Sequence, residues 1–260
     1  MMHTRHVAAP LLFAALAAAP LAAQDAFSWR GRIDSGRTLE IKGINGSIRA
    51  VASSGTEVRV SAEKRARRSD PDEVRIEVVE HEGGVTICAV YPTPRNREPN
   101  ECRPGSAGRL NSNDNDVNVD FAVEVPAGVR FHATTVNGAV QATSLGGDVR
   151  AVTVNGDITV STSGTARANT VNGTIEVSMA RSDWTGDLEF ETVNGGIAIT
   201  LAESVSTDVE ASTVNGSIET DFPLTVRGRF GPKRVTGTIG QGGRKLALST
   251  VNGSISIRKR

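Results

Sequence analysis

The tetrapeptide Thr-Val-Asn-Gly occurs six times in the 260-residue chain, at Thr135–Gly138, Thr153–Gly156, Thr170–Gly173, Thr192–Gly195, Thr213–Gly216 and Thr250–Gly253. A degenerate copy, Arg-Val-Thr-Gly, runs from Arg234 to Gly237, and an early outlier, Gly-Ile-Asn-Gly, from Gly43 to Gly46. Successive valines of the C-terminal series are 18, 17, 22, 21, 21 and 16 residues apart, the period range of stacked repeat architectures. Two residues after each glycine stands a β-branched apolar residue: Val140, Ile158, Ile175, Ile197, Ile218, Ile239 and Ile255, with Ile48 after the outlier. On the other arm the same alternation appears in Phe131, Ala133 and Thr135, and in Val149, Ala151 and Thr153. Period-two patterning on both arms predicts strands with one buried face.

Asn and Gly are the residues best able to adopt positive φ, so each pair is read as a sharp structural bend: Asn45 with Gly46, Asn137 with Gly138, Asn155 with Gly156, Asn172 with Gly173, Asn194 with Gly195, Asn215 with Gly216 and Asn252 with Gly253. Two architectures compete. In an antiparallel meander every Asn-Gly is a hairpin tip; in a parallel solenoid every one is the same corner of successive coils. The meander needs roughly fifteen antiparallel strands, beyond the ~10 at which open sheets usually curl or split. Stacking at ~4.8 Å places Asn over Asn and Thr over Thr, which gives a reason for identical residues. Small interior residues (Ala133, Ala151, Ala211) and 4% aromatics suit a narrow interior. The expected fold class is therefore all-β, a single-stranded parallel β-helix or solenoid with an irregular N-terminal capping region.

That capping region is expected over 24–125 and the repeat array over 126–260. Leu39 to Ile41, Ser47 to Val51 and Glu57 to Ser61 look like coils of the same kind, whereas Val74 to Val79 and Val85 to Val90 flank Gly83 and Gly84 as a hairpin. Tyr91 to Asn118 is polar and rich in proline and asparagine, the composition of a long surface excursion. Arg258, Lys259 and Arg260 follow the last repeat and are read as charges that blunt an open strand edge.

Residues 1–23 have the layout of an export signal: a basic start, an apolar run from Val7 to Ala19, and small residues at Ala22 and Ala23. The run is shorter than the ~20 residues of a spanning helix, so no integral membrane segment is expected in the mature chain. Location outside the cytoplasm follows, periplasmic, cell-surface or secreted. Cys88 and Cys102, the two cysteines present, are disulfide candidates in that compartment. A bridge closes a loop of about 15 residues, worth ~3 kcal/mol in the chain-entropy model. Lys plus Arg and Asp plus Glu balance at 29 each, so no global field is available to hold nucleic acid.

The stretch from Trp29 onward resembles the bacterial DUF4097 family of β-strand-repeat proteins. The likeness rests on Trp29, on Leu-Glu-Ile-Lys-Gly-Ile-Asn-Gly-Ser-Ile-Arg-Ala-Val from Leu39 to Val51, on Val-Glu-Val-Pro-Ala-Gly-Val from Val123 to Val129, and on the Thr-Val-Asn-Gly series. The resemblance implies a stacked β-helix on an exported protein, with adhesin as the family's provisional label and no defined functional residues.

Chemistry is sparse. Asp148, Asp157 and Asp187 lie near repeat turns, where carboxylates either converge on a groove, as in a glycosidase, or serve turn geometry. Asn113, Asp114, Asn115, Asp116 and Asp120 form an oxygen-rich cluster without the ligand order of an EF-hand, and are read as a solvated loop. His81 and His132 have no partner spacing. No catalytic residue, metal or cofactor is assigned. The function expected is a non-catalytic, adhesin-like binding or scaffold module whose partner is an envelope polymer or protein. The alternatives are a carbohydrate-active lyase or hydrolase on the same scaffold, and an envelope-stress signalling accessory.

Overall fold

The computed structural model describes residues 27–227 and 233–260; the export segment read at 1–23 lies outside the described residues. Each Asn-Gly corner joins a strand of one sheet to a strand of a second, and among the described residues the sheets have ten and eleven strands. Strands are numbered along the chain. The first sheet opens with β1 (Phe27–Gly31), β4 (Val58–Arg65), β7 (Asn118–Pro126) and β3 (Ile48–Ser53). It continues with β9 (Val140–Leu145), β11 (Ile158–Thr162), β13 (Ile175–Met179), β15 (Ile197–Leu201), β21 (Ile255–Lys259) and β17 (Ile218–Thr220). The second sheet begins β18 (Thr225–Arg227), β19 (Lys233–Ile239), β16 (Thr207–Asn215), β20 (Lys245–Asn252) and β14 (Leu188–Glu191). Its other half is β12 (Ala166–Asn169), β10 (Val149–Val152), β8 (Arg130–Thr134), β2 (Thr38–Lys42), β6 (Gly84–Val90) and β5 (Arg75–His81).

Register explains why the arms alternate. In the first sheet Phe121, Ile48, Val140, Ile158, Ile175, Ile197, Ile255 and Ile218 share one column, all in parallel pairing. In the second, Ile41, Ala133, Ala151, Ala168, Phe190, Leu248 and Ala211 share another. These inward columns belong to one continuous apolar core. Each large aliphatic side chain fully withdrawn from water contributes roughly 1.5–3 kcal/mol. A slip of one residue would turn a whole column outward, so burial fixes the register.

Several expectations need correction. The chain does not stack in sequence order: β20 and β21 of the last repeat insert between β14 and β16 and between β15 and β17. The early outlier is placed directly beside the copy at Thr135, since β2 pairs with β8 and β3 with β9. Arg234 to Gly237 is no corner but the middle of β19, antiparallel to β16 and β18. The segment around Glu57 to Ser61 is not a coil of the parallel kind, because β4 runs antiparallel to both β1 and β7. Nor does the basic tail guard an edge: β21 is paired on both sides, and Arg258 binds Glu219 and Asp221 at 2.9 and 3.0 Å. The hairpin expected around Gly83 is formed by β5 and β6. The two sheets stay open, with β1 and β17 ending one and β18 and β5 the other.

Candidate functional site

The repeat corner shows why its residue types recur. The asparagines stack in the order Asn45, Asn137, Asn155, Asn172, Asn194, Asn252, Asn215, and each amide Nδ2 donates to the preceding Oδ1 at 2.8 Å. Threonine hydroxyls cap the glycine carbonyls of the neighbouring rung: Thr153 donates to Gly138, Thr170 to Gly156, Thr192 to Gly173 and Thr250 to Gly195, at 2.9, 3.0, 2.9 and 2.9 Å. The glycines are demanded by close approach. A Cβ on Gly138, Gly156, Gly173, Gly195, Gly253 or Gly216 would lie 1.9–2.1 Å from the glycine carbonyl oxygen of the adjacent rung. Positive φ is the minor reason: Gly46 adopts 118° and Gly195 158°, and none of the seven asparagines is positive. The valines point outward, with Val154, Val171, Val214 and Val251 36–43% exposed.

At the N-terminal end the ladder gives way to a groove. Pairing sets Ser28, Ser61, Ala122 and Arg49 side by side across β1, β4, β7 and β3, all on the outer face. Ser61 and Ala122 lie on the floor of an open cavity of about 600 Å³ and of an adjoining one of about 340 Å³, and Ser28 extends the floor of the second. One wall carries Glu63, Arg65 and Asp120, with Arg65 paired to both acids. The other carries Val51, 49% exposed, and the Arg59–Glu124 pair at 3.3 Å. These exposed pairs contribute little to stability, ~0–1 kcal/mol each. Among the described residues no carboxylate is in ion-pair contact with Arg49. Sequence reasoning missed this groove, because its floor is built from residues 28, 61 and 122, which no motif links.

Cys88 and Cys102 are joined by a disulfide with their Cα atoms 5.7 Å apart, and both are buried. The bridge holds the loop of residues 91–117 against β2 and β6. Lys42 Nζ donates to the carbonyls of Arg103 and Gly105, and the Glu40 carboxylate accepts from Thr86 Oγ1 at 3.0 Å and Gly105 N at 2.9 Å. Tyr91 anchors the loop start by donating to the Val117 carbonyl at 2.7 Å, and burial pushes its hydroxyl up to about 12.

The acidic candidates are dispersed. Asp148 accepts from Thr165 N and Oγ1 at the start of β10, Asp187 accepts from Lys245 N at the start of β14, and Asp157 accepts from Thr174 N at the asparagine corner. Asp157 is thus separated from the other two by the length of a strand, roughly 13 Å. In the oxygen-rich stretch, Asp116 accepts from Ser69, Arg68 and Arg67 N–H groups, and the Ser69 bond above all lowers its carboxyl to about 2. Asn115 binds Glu73, Asn113 binds Asp114, and Asp120 accepts from Ser47 N and pairs with Arg65. Among the described residues no group of three or more His, Cys, Asp or Glu could hold a metal ion. His81 bonds Gly83 N and Thr86 Oγ1, whereas His132 stands on β8 beside Glu40 and Arg150.

The architecture defines a class: an all-β repeat protein of two long mixed sheets with a hydrogen-bonded asparagine edge. The chain belongs to the Toastrack DUF4097 family, whose model matches residues 35–258, as the motifs at Leu39, Val123 and the repeats implied. It is similar in structure to a putative cell adhesion protein from Clostridium sporogenes, with 10% identity, 91% of this chain and 100% of that one covered, and a TM-score of 0.44. A putative adhesin from Bacteroides fragilis is similar at 11% identity, 92% and 98% coverage, and a TM-score of 0.33. No curated protein matches the chain. Among the described residues no helix is long and apolar enough to cross a membrane.

Proposed function

We propose that this chain is an exported, non-catalytic binding module of the bacterial cell envelope, a solenoid-like stack of two mixed sheets that presents a rigid groove to an extended polymer or protein segment. The observation that carries the reading is the Ser28–Ser61–Ala122 trough. It crosses strands whose backbones are already hydrogen-bonded, so its shape is set before a ligand arrives and little ordering entropy is lost on binding. Arg49 stands at its end as an exposed cation with no acidic partner among the described residues, ready for an anionic or carbonyl group. The family's adhesin label agrees with a contact role. The aspartates that a lyase or hydrolase would use are engaged in turns, with Asp157 a strand length away from Asp148 and Asp187, which supports binding without turnover.

The test is retention of the purified mature chain on a panel of acidic and neutral envelope polysaccharides, scored together with release of new reducing ends or unsaturated products. Retention without product is expected, weakened about tenfold by Arg49→Ala on the ordinary strength of a charged hydrogen bond. Product release abolished by Asp157→Ala would instead establish the enzyme reading.

A further inference from the structure

The outer face of the second sheet carries a different kind of site. Pairing places His132 of β8 next to Arg150 of β10, and Arg150 next to Arg167 of β12. Like charges directly opposite one another destabilise a sheet, so this row needs neutralisation. The chain does not supply it in contact: among the described residues neither Arg150 nor Arg130, on the same face of β8, has a carboxylate in ion-pair contact. Arg167 spends its Nε and one Nη on the backbone carbonyl of Asp187, at 3.1 and 2.7 Å, which fixes the guanidinium without cancelling its charge. A small cavity of about 50 Å³ opens between Arg150 and Arg167, bordered by the Glu189 carboxylate, which is not in ion-pair contact with either arginine, and by Asn169, whose buried Oδ1 has no hydrogen-bond partner among the described residues.

Asn oxygen and nitrogen are interchangeable by a flip, so Asn169 can turn a donor into the same cavity. His132 completes the row: burial lowers its pKa, and Arg150, Arg130 and Arg167 add to that effect while Glu40 opposes it. On β14 and β16 the outward residues become Glu189, Glu191 and Glu210, which end the cationic run after three strands.

We propose that His132, Arg150 and Arg167 form a binding site for a short stretch of acidic polysaccharide lying along the stacking axis, with the sugar carboxylates over the arginines. The spacing selects a polymer over a single ion. The row spans two strand separations, about 9.6 Å, whereas one inorganic anion bridges a single gap. A glycan with a carboxylate on each sugar carries several anions along one chain, where an inorganic ion carries its charge at one point. The site is on the sheet opposite the groove and does not depend on the groove reading.

The experiment titrates the mature chain with oligogalacturonate, with a neutral maltooligosaccharide and with inorganic phosphate, following affinity by calorimetry and the His132 ring protons by NMR. Oligogalacturonate alone should bind, lose affinity in high salt, and raise the His132 titration midpoint. Arg150→Gln and Arg167→Gln should each weaken it about tenfold, in an Arg49→Ala background as well as in the parent, so that any binding in the groove is read separately. Relief of like-charge repulsion should leave the Arg150→Gln variant at least as stable as the parent, an outcome that a merely structural arginine would reverse. The proposal fails if phosphate at equal charge competes as well as the oligomer, if His132 does not move, or if both arginine variants bind like the parent.

Discussion

Between β8 and β15 every rung lies on a near-identical rung, and in the N-terminal end β1 and β4 run against the direction of the strands beside them. In the first region the corner residues are all consumed by contact with the next rung: Thr caps a carbonyl, Asn passes a hydrogen bond along, and Gly admits the neighbouring backbone. In the second region that demand disappears, and positions 28, 61 and 122 carry short outward residues over which a groove opens. Repetition therefore supplies rigidity, and its interruption supplies a concave surface.

Substituting a glycine in each region is the strongest way to break this contrast. In Gly173→Ala the new Cβ would meet the Gly156 carbonyl oxygen at 2.0 Å, and that atom is backbone held on both sides. Rungs must separate, and a loss of about 3 kcal/mol is expected. Gly55→Ala, whose nearest neighbours are at 3.5 and 4.0 Å, should stay within about 0.5 kcal/mol of the parent. Denaturant unfolding of the two variants checks it; equal losses would show that the corner glycine is not there for close approach. Next in size is the disulfide. The N-terminal end lacks the asparagine ladder across β5, β6 and the 91–117 loop, so Cys102→Ala should cost about 3 kcal/mol or somewhat less, with the loop over Lys42 and Glu40 opening first. Proteolysis confined to residues 91–117 in the variant is the expected signature.

The same contrast governs what could be read from sequence. The corners were legible because one physical demand is repeated at Asn137, Asn155, Asn172, Asn194, Asn215 and Asn252. The reason was misjudged at the glycines, where positive φ is the general property and contact with the next rung is the local cause. Insertion of the last repeat ahead of Asn215 was not legible, because local patterning carries no information about which rung lies on which. One signal was present: Arg234 to Gly237 has Thr236 in place of Asn, cannot pass the side-chain hydrogen bond, and could have been excluded as a rung. The His132, Arg150 and Arg167 row is legible only after register is known, since the three residues are 18 and 17 positions apart in the chain.

A smaller effect separates interior from terminal rungs. Asn172 gives one amide hydrogen bond and receives another, whereas Asn215 ends the ladder and makes one such bond. At ~0.5–1.5 kcal/mol per net hydrogen bond, Asn172→Ala should cost about 1–2 kcal/mol and Asn215→Ala about half as much, measured by thermal or denaturant midpoints. Identical losses would mean that the corner is held by its backbone bonds, such as Asn172 N to Val154 O at 2.7 Å, with the side chains adding nothing.

The finest test uses acid. Thr, Asn and Gly, which tie the corners, do not titrate, so the ladder itself has no cause to weaken between pH 5 and 2. The N-terminal end differs, because Asp116 holds the Ser69, Arg68 and Arg67 N–H groups and is lowered from 3.8 to about 2 by those bonds. A depressed carboxylate stabilises the fold fully above its unfolded value, and that contribution fades as pH falls through about 2. The Ser69 amide should therefore lose hydrogen-exchange protection across the window from about pH 4 to 2 while Gly156 N–H, bonded to the Asn172 carbonyl at 2.9 Å, keeps its own. Asp116→Asn retains an acceptor but no titrating proton, and should flatten the Ser69 response over the same range. If Gly156 and Ser69 lost protection together, the two regions would be one cooperative unit toward acid, and the distinction between ladder and cap would hold for shape but not for stability.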